Sequence, residues 1–183
     1  MKKLILSNGA SCVIHQVRRG YLPDILLIQR KTDGLWELPG GQVELNTSDS
    51  GDPFLETVIR EVGEECGIHL QQSEVVFDSV FQQRVLYKDV LIAGSVLLYY
   101  CLHAKEIDLS FTGNETSALE VVNLGEIDFF ANNISLAARR MIGVFYSNYQ
   151  VRRHILKGPK KPQLARNLGS PLVFELNGTF ITI

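Results

Sequence analysis

The sequence has few cysteines, no long hydrophobic run and no strong excess of charge of either sign. Cys12, Cys66 and Cys101 form no C-x-x-C pair and no Cys/His cluster, so the sequence indicates neither a zinc site nor a disulfide framework. Each lies beside apolar residues or on an apolar helix face, and reduced, buried thiols are expected. The net charge of −2 gives no general argument for nucleic acid or an anionic membrane as a partner.

Hydrophobic runs are too short to suggest a membrane protein. The longest, "VLIAGSVLLYYCLHA" at 90–104, is below the roughly 18 residues that indicate a membrane span. The amino-terminal "LIL" is too brief for the apolar region of a secretory signal. A cytoplasmic protein is therefore expected. Its 183 residues, of which 45% are hydrophobic, suit one globular domain.

Several stretches have the composition of β-strands. "ASCVIHQV" and "DILLIQRK" are separated by Gly and Pro, which predicts two strands joined by a loop. Two long strands are predicted in "SEVVFDSVFQQRVLY" and "DVLIAGSVLLYYCLHA", and a short one in "LEVVNL". The carboxyl-terminal "PLVFELNGTFITI" partly alternates and contains Asn-Gly, a strong hairpin signal.

Two helices are predicted from apolar spacing. The first has one apolar face made of Leu55, Val58, Ile59, Val62 and Cys66. Asp52 is its predicted N-cap, Pro53 its first residue and Gly67 the residue that ends it. "ISLAARRMIGVFYSNY" has the same spacing. The order of elements predicts an α/β protein in which a mixed sheet lies between two helices.

The stretch "REVGEECGI" at 60–68 places three glutamates within five positions. On the predicted helix Glu64 points directly away from the apolar face, and Glu61 and Glu65 lie to one side. The i, i+4 pair of like charges destabilises an isolated helix by roughly 0.2–0.5 kcal/mol. The cluster therefore needs either water or a cation. A solvated face, on which Arg60 pairs with Glu64, and a site for Mg²⁺ or Mn²⁺ both fit this segment.

The residues upstream add to this pattern. "REVGEECGI" matches the second half of the Nudix signature, Arg-Glu-apolar-any-Glu-Glu-any-Gly-apolar, at every specified position, and "WELPGG" precedes it. In these segments the chain resembles the Nudix hydrolase superfamily, which is MutT-like. The first half departs from the signature, since the expected Glu falls on Asp52 and the expected Gly on Asn46. The simplest alignment places an insertion in "LNTSDS" at 45–50.

The resemblance implies a fold and a reaction. Residues 1–149 would form a Nudix-type α/β/α sandwich with a mixed β-sheet between helices. Residues 150–183 lie outside the resemblance and are predicted to be a basic connector and a C-terminal β-hairpin, either part of the same domain or a dimer arm. Water would cleave the pyrophosphate bond of a nucleoside diphosphate linked to another moiety. The alternative is a catalytically silent Nudix-fold module that senses a nucleotide or a nucleotide sugar. Such modules usually lose glutamates from the signature, and this chain keeps all three.

The resemblance also implies roles for single residues. The implied catalytic set is Arg60, Glu61, Glu64, Glu65 and Glu115. The three helix glutamates and the Gly40 carbonyl would hold Mg²⁺ or Mn²⁺, and Arg60 would orient a glutamate. Glu115, with Glu120 as second candidate, would come from the loop before the last strand, although a solvated loop carboxylate fits as well. Either Glu64 or Glu115 would be the general base.

Substrate contacts are expected from Gly41, Trp36 and Arg30. Trp36 fits the core or its rim equally well, and Arg30 fits an ordinary ion pair. The segment at 150–166 contains six Lys/Arg and one His. It fits a solvated connector, a lid that guides an anionic substrate, or an arm exchanged within a homodimer. Which nucleoside diphosphate derivative is bound stays open, and nucleic acid is not expected.

Overall fold

The computed structural model describes residues 3–16, 22–44, 51–87, 90–102, 105–127, 133–157, 173–176 and 179–182. The chain divides into two compact units, Met1–Tyr146 and Ser147–Ile183. In the described ranges no helix has both the length and the apolar character needed to cross a membrane. The cytoplasmic location stays a prediction.

The first unit contains most of the described strands and one complete helix. In chain order these are β1 (Lys3–Leu6), β2 (Gly9–Val13), β3 (His15–Gln16), β4 (Asp24–Arg30), β5 (Trp36–Glu37), β6 (Gly40–Gln42), α1 (Pro53–Cys66), β7 (Val75–Tyr87), β8 (Val90–Cys101) and β9 (Thr116–Asn123). Helix α2 (Leu136–Lys157) begins in the first unit and ends in the second. Strands β10 (Val173–Leu176) and β11 (Thr179–Thr182) pair antiparallel, as the predicted hairpin requires.

The strands of the first unit form two sheets, where the sequence predicted one. The larger sheet is mixed, in the order β1-β8-β2-β6 with β7 also paired to β8. The smaller sheet joins β3, β4 and β5 in order, and β9 pairs with β4. The chain passes between the sheets at Ile14, whose carbonyl accepts a hydrogen bond from the Leu26 N–H. A run of apolar residues does not show such a break, which is why one continuous strand was predicted there.

Side chains alternate along the strands and form two buried layers. The layer that contains α1 includes Ala10, Cys12, Leu26, Ile28, Val58, Val62 and Cys66, each no more than 2% exposed. On the other face the His15 ring lies 5.9 Å from that of Phe145 in α2. The Phe145 ring lies 6.2 Å from that of Tyr100. Helix α1 and the part of α2 that lies in the first unit therefore cover opposite faces of the strands, and the predicted sandwich is confirmed.

Helix α1 begins and ends where its sequence predicts. Asp52 accepts hydrogen bonds from the backbone N–H groups of Phe54 and Leu55, so it is the N-cap. Gly67 has a φ of 68°, and its N–H donates to the Gly63 carbonyl. The left-handed conformation favours glycine, because a side chain there is strained. The three cysteines are free and buried, as predicted.

Two elements differ from their predictions. Strand β1, which was not predicted, pairs parallel with residues 90–93 of β8. Helix α2 extends to Lys157, so the first eight residues of the predicted connector are helical. Arg, Gln, Leu and Lys are good helix formers, and Gly158 is the first break in the run. The rest of the predicted connector and the insertion at 45–50 lie outside the described residues.

Candidate functional site

The glycine-rich strand β6 lies against the last turns of α1. The Gly40 N–H donates a 2.8 Å hydrogen bond to Glu65 Oε2. A Cβ on Gly40 would overlap the backbone carbonyl of Ala10, and a Cβ on Gly41 would overlap the Glu61 carboxylate. Glycine therefore suits Gly40 because the backbone of β2 approaches it closely, and it suits Gly41 because a carboxylate of α1 does.

The three helix glutamates differ in their exposure. Glu64 has 57% of its side chain exposed, as expected for the residue that points away from the apolar face, and Glu61 has 15%. Glu65 is buried. Glu65 lies at the edge of the apolar face of α1 and is covered by β6. There the hydrogen bond from the Gly40 N–H offsets part of the desolvation free energy of a buried carboxylate.

Arg60 links the other two glutamates. Its Nη1 donates to Glu64 Oε2 at 2.8 Å and its Nη2 donates to Glu61 Oε1 at 2.6 Å. One guanidinium therefore neutralises part of the charge that the helix concentrates here. Asp52, which stands where the signature has Glu, bonds elsewhere: besides capping α1, it accepts a 3.3 Å hydrogen bond from the Tyr99 hydroxyl.

The loop that carries Glu115 packs against the end of α1. A Cβ on Gly113 would lie 2.5 Å from the Glu64 carbonyl oxygen, so loop and helix backbone are in direct contact. Glu115 immediately precedes β9 and is exposed. Its charge raises the pKa of Glu61 and of Glu65. Glu120 lies further along β9, opposite Leu27, and is not among the charges that shift these two pKa values.

Burial and neighbouring charge act together on Glu65. Desolvation is the largest cause that raises its pKa, although the hydrogen bond from Gly40 acts in the opposite direction. The negative charges of Glu61, Glu115 and Glu37 also raise the pKa, and the value that results is about 8. Without a cation, a large part of the Glu65 side chains is therefore protonated at neutral pH.

Glu61 shows the same effect more weakly. Desolvation raises the pKa of Glu61, the Arg60 guanidinium lowers it, and Glu64 and Glu115 raise it again. Like-charged carboxylates in a partly buried site favour a bound cation. The site is thus acidic and only partly neutralised by Arg60.

The donor chemistry of this site fits a hard divalent cation. Carboxylate oxygens are the ligands that Mg²⁺ and Mn²⁺ prefer. Within the described ranges no three His, Cys, Asp or Glu side chains converge as a ready metal cluster, because Glu61 and Glu64 turn toward Arg60 and Glu65 toward Gly40. Gly40 enters the site through its N–H, and the predicted role of its carbonyl stays a prediction.

The predicted substrate contacts have defined surroundings. Arg30 forms ion pairs with Asp33 and, at 3.4 Å, with Glu37, the ordinary ion pair that the sequence left open. Trp36 is half-buried, and its carbonyl accepts a hydrogen bond from the Ser135 N–H just before α2. Glu37 was not predicted as a site residue. Its position in "WELPGG", as the one acidic residue before the glycines, is the signal that identifies it.

Two cavities lie beside strand β6 and helix α1. One, of about 160 Å³, is bounded by Gly40 and Gly41 and has Ser11, Glu37 and Met141 among its other walls. The second, of about 280 Å³, is lined by Glu44, Glu56, Thr57 and Arg60. Glu44 directly precedes the insertion at 45–50, so this second cavity opens where the chain departs from the signature.

A family model described as "NUDIX domain" matches residues 6–142. The chain belongs to the Nudix family. The predicted family and the predicted class, a Nudix pyrophosphohydrolase, are confirmed. Members of the Nudix family generally use divalent metal ions, which agrees with the acidic character of the site. A comparison with curated protein sequences gives no match.

Solved Nudix structures share the fold. The NUDIX domain of Shewanella oneidensis NrtR, complexed with ADP ribose, is 16% identical with a TM-score of 0.62, over 79% of this chain and 89% of that one. A C. elegans Ap4A hydrolase is also 16% identical, with a TM-score of 0.58 over 79% and 98%. A MutT NUDIX hydrolase from Burkholderia pseudomallei is 25% identical, with a TM-score of 0.54 over 76% and 97%.

Proposed function

We propose that this chain uses Mg²⁺ or Mn²⁺ to hydrolyse the pyrophosphate bond of a nucleoside diphosphate linked to another group. The observation that carries the proposal is the buried Glu65 carboxyl, held on the Gly40 N–H among the carboxylates of Glu61 and Glu115. When these carboxylates are ionised and no cation is bound, their burial and mutual repulsion cost folding free energy. A cation that binds a diphosphate alongside protein carboxylates would explain why these carboxylates lie together.

Glu61, Glu64 and Glu65 are the residues that would hold the ion, with the Gly40 carbonyl as a further ligand. When bound, the ion would neutralise the diphosphate charge, polarise the P–O bond and lower the pKa of the attacking water. Arg60 orients Glu61 and Glu64 through its two hydrogen bonds.

Glu115 is the better candidate for the general base. The Glu64 carboxylate is already engaged by a hydrogen bond from the Arg60 guanidinium. Among the described residues the Glu115 carboxylate accepts no hydrogen bond, and it is exposed. It is therefore free to take a proton from water.

The 160 Å³ cavity beside Gly40 and Gly41 is suited to a group attached to the diphosphate. Backbone and small side chains form much of its lining, and Met141 provides an adaptable apolar wall. The carboxylate in the wall of this cavity is that of Glu37, which can accept hydrogen bonds from N–H or O–H donors on a bound group. The phosphates would then lie beside the glycines, which carry no side chain of their own.

The structural neighbours suggest which substrates to test first. One is complexed with ADP ribose, and another is an Ap4A hydrolase. Both names point to adenine nucleotides joined through phosphates. A nucleotide derivative is therefore the expected small-molecule partner of this chain.

The test is an assay of the whole chain with Mg²⁺ or Mn²⁺ and a substrate panel. The panel contains ADP-ribose, ADP-sugars, dinucleoside polyphosphates, NADH and (deoxy)nucleoside triphosphates, and released phosphate esters are measured. The double variant Glu64→Gln/Glu65→Gln removes two charges from the site. Glu106→Gln/Glu126→Gln is the matched control, because both of these carboxylates are exposed and outside the site.

We expect one substrate class to be turned over by the wild type and by the control, and activity to be lost in EDTA and in the site variant. Turnover that survives in Glu64→Gln/Glu65→Gln would refute the proposed site. Nucleotide binding by the wild type without turnover would refute the enzyme and support the sensor function instead.

A further inference from the structure

Lys31 makes three hydrogen bonds to three consecutive residues of the Glu115 loop. Its Nζ donates to the carbonyl of Gly113 at 2.9 Å and to that of Asn114 at 3.0 Å. Its backbone N–H donates to the carbonyl of Glu115 at 2.9 Å. Because the ammonium group donates to backbone carbonyls and not to a carboxylate, Lys31 holds the loop backbone in place.

A β-bulge brings Lys31 to this position. The register between β4 and β9 shifts between Gln29 and Arg30, and Arg30 then lies opposite Thr116. Such bulges re-aim the side chains that follow them. Beyond the shift, Arg30 forms its ion pairs with Asp33 and Glu37, whereas Lys31 reaches the loop.

The loop that Lys31 holds is in contact with the metal-binding end of α1. Gly113 is buried against the backbone of Glu64. Two residues later, Glu115 is close enough to raise the pKa of Glu61 and Glu65. Lys31 thus connects β4 to the one carboxylate of the site that does not belong to α1 or β5.

We infer that Lys31 is a positioning residue, which holds the Gly113–Glu115 backbone against the end of α1 so that the Glu115 carboxylate faces the site. This inference rests on the proposed function, since it gives Glu115 a task there. Lys31 itself acts through its hydrogen bonds to the loop and takes no part in proton transfer. Displacing a catalytic group by about 1 Å costs up to about 100-fold in rate.

The test compares Lys31→Met, which keeps the length of the side chain and loses its donors, with Lys31→Arg, which restores a charged N–H donor group. Lys105→Met is the matched control, because the Lys105 ammonium pairs with the Glu74 carboxylate at 2.6 Å. Glu74 directly precedes β7 and is distant in sequence from the loop. Amide hydrogen exchange of residues 113–116 is measured on metal-free protein. Steady-state kinetics and their pH profile are measured with Mn²⁺ on the substrate found in the panel.

We expect faster exchange at 113–116 in Lys31→Met alone. We also expect kcat to fall about 10- to 100-fold with KM nearly unchanged, and Lys31→Arg to recover most of the loss. Unchanged exchange in Lys31→Met would refute the inference even if no substrate were found. Faster exchange with an unchanged kcat and pH profile would refute the positioning role and leave the proposed function intact.

Discussion

At the scale of the single residue, Glu65 makes the stability of the metal-free protein depend on pH. Its pKa is about 8 in the folded chain, against an ordinary value of 4.5. Between these values the folded state binds a proton that the unfolded state has released. The stabilisation is therefore complete below pH 4.5 and is lost as the pH rises through 8.

We predict that the free energy of unfolding in EDTA falls between pH 5 and pH 8, and that Glu65→Gln removes most of this decline. Glutamine keeps the acceptor for the Gly40 N–H and cannot ionise. Urea denaturation at several pH values, with Glu106→Gln as the control, measures the effect. An equal decline in both variants would show that other groups cause it.

At the same scale, Gly40 is expected to tolerate no side chain. A Cβ there overlaps the Ala10 carbonyl, which belongs to the rigid backbone of β2. Gly40→Ala should therefore move β6 and weaken the hydrogen bond to Glu65. We expect a lower midpoint in urea and a loss of hydrolysis. Gly143→Ala, on a helix and with open space around its Cβ, should instead raise the midpoint slightly, because alanine is the better helix former, and leave hydrolysis unchanged.

At the scale of the element, α1 depends on its N-cap residue. Asp52 caps the helix and accepts the Tyr99 hydroxyl, so it fixes the helix to β8. We predict that Asp52→Ala costs about 1 kcal/mol or more of unfolding free energy. Asp52→Asn should keep the cap, and Tyr99→Phe should lose only the second bond. Urea denaturation of the three variants separates the two roles, and equal losses in all three would contradict the assignment.

The sequence patterns predicted those elements whose hydrogen bonds and caps lie within one short segment of the chain. The start, apolar face and end of α1 depend on residues within the segment, and all three were predicted. Strand β1 was missed because its four residues form a strand only by pairing with residues 90–93. The end of α2 was placed too early because a basic run was interpreted as a connector, although arginine and lysine are good helix formers.

At the scale of the whole molecule, cation binding should stabilise the fold. Because an ion that binds only the folded state adds RT ln(1 + [L]/Kd), 100 times Kd adds about 2.7 kcal/mol. For a chain of this size that raises Tm by roughly 5–10 °C. We predict such a rise with Mn²⁺ for the wild type and for Glu106→Gln, and none for Glu61→Gln/Glu65→Gln. A rise in the double variant would place the ion elsewhere.

The site was predictable only where it lies on one segment. The signature located Glu61, Glu64 and Glu65, and the direction of Glu64 followed from helical geometry. The burial of Glu65 depends on β6 and on the Glu115 loop, and the contact of Lys31 with that loop spans 82 residues. The spacing of apolar residues within one segment carries no information about contacts between residues so far apart in the sequence.

The pairing of β4 with β9 also has a consequence for the synthesis of the chain. Asp24 and Asn123, which are joined by a 2.8 Å hydrogen bond, lie 99 residues apart. At roughly 5–20 residues per second, the ribosome delivers β9 about 5–20 s after β4. During that interval β4 can pair with β3 and β5, but its other edge stays without a partner strand until β9 has been synthesised.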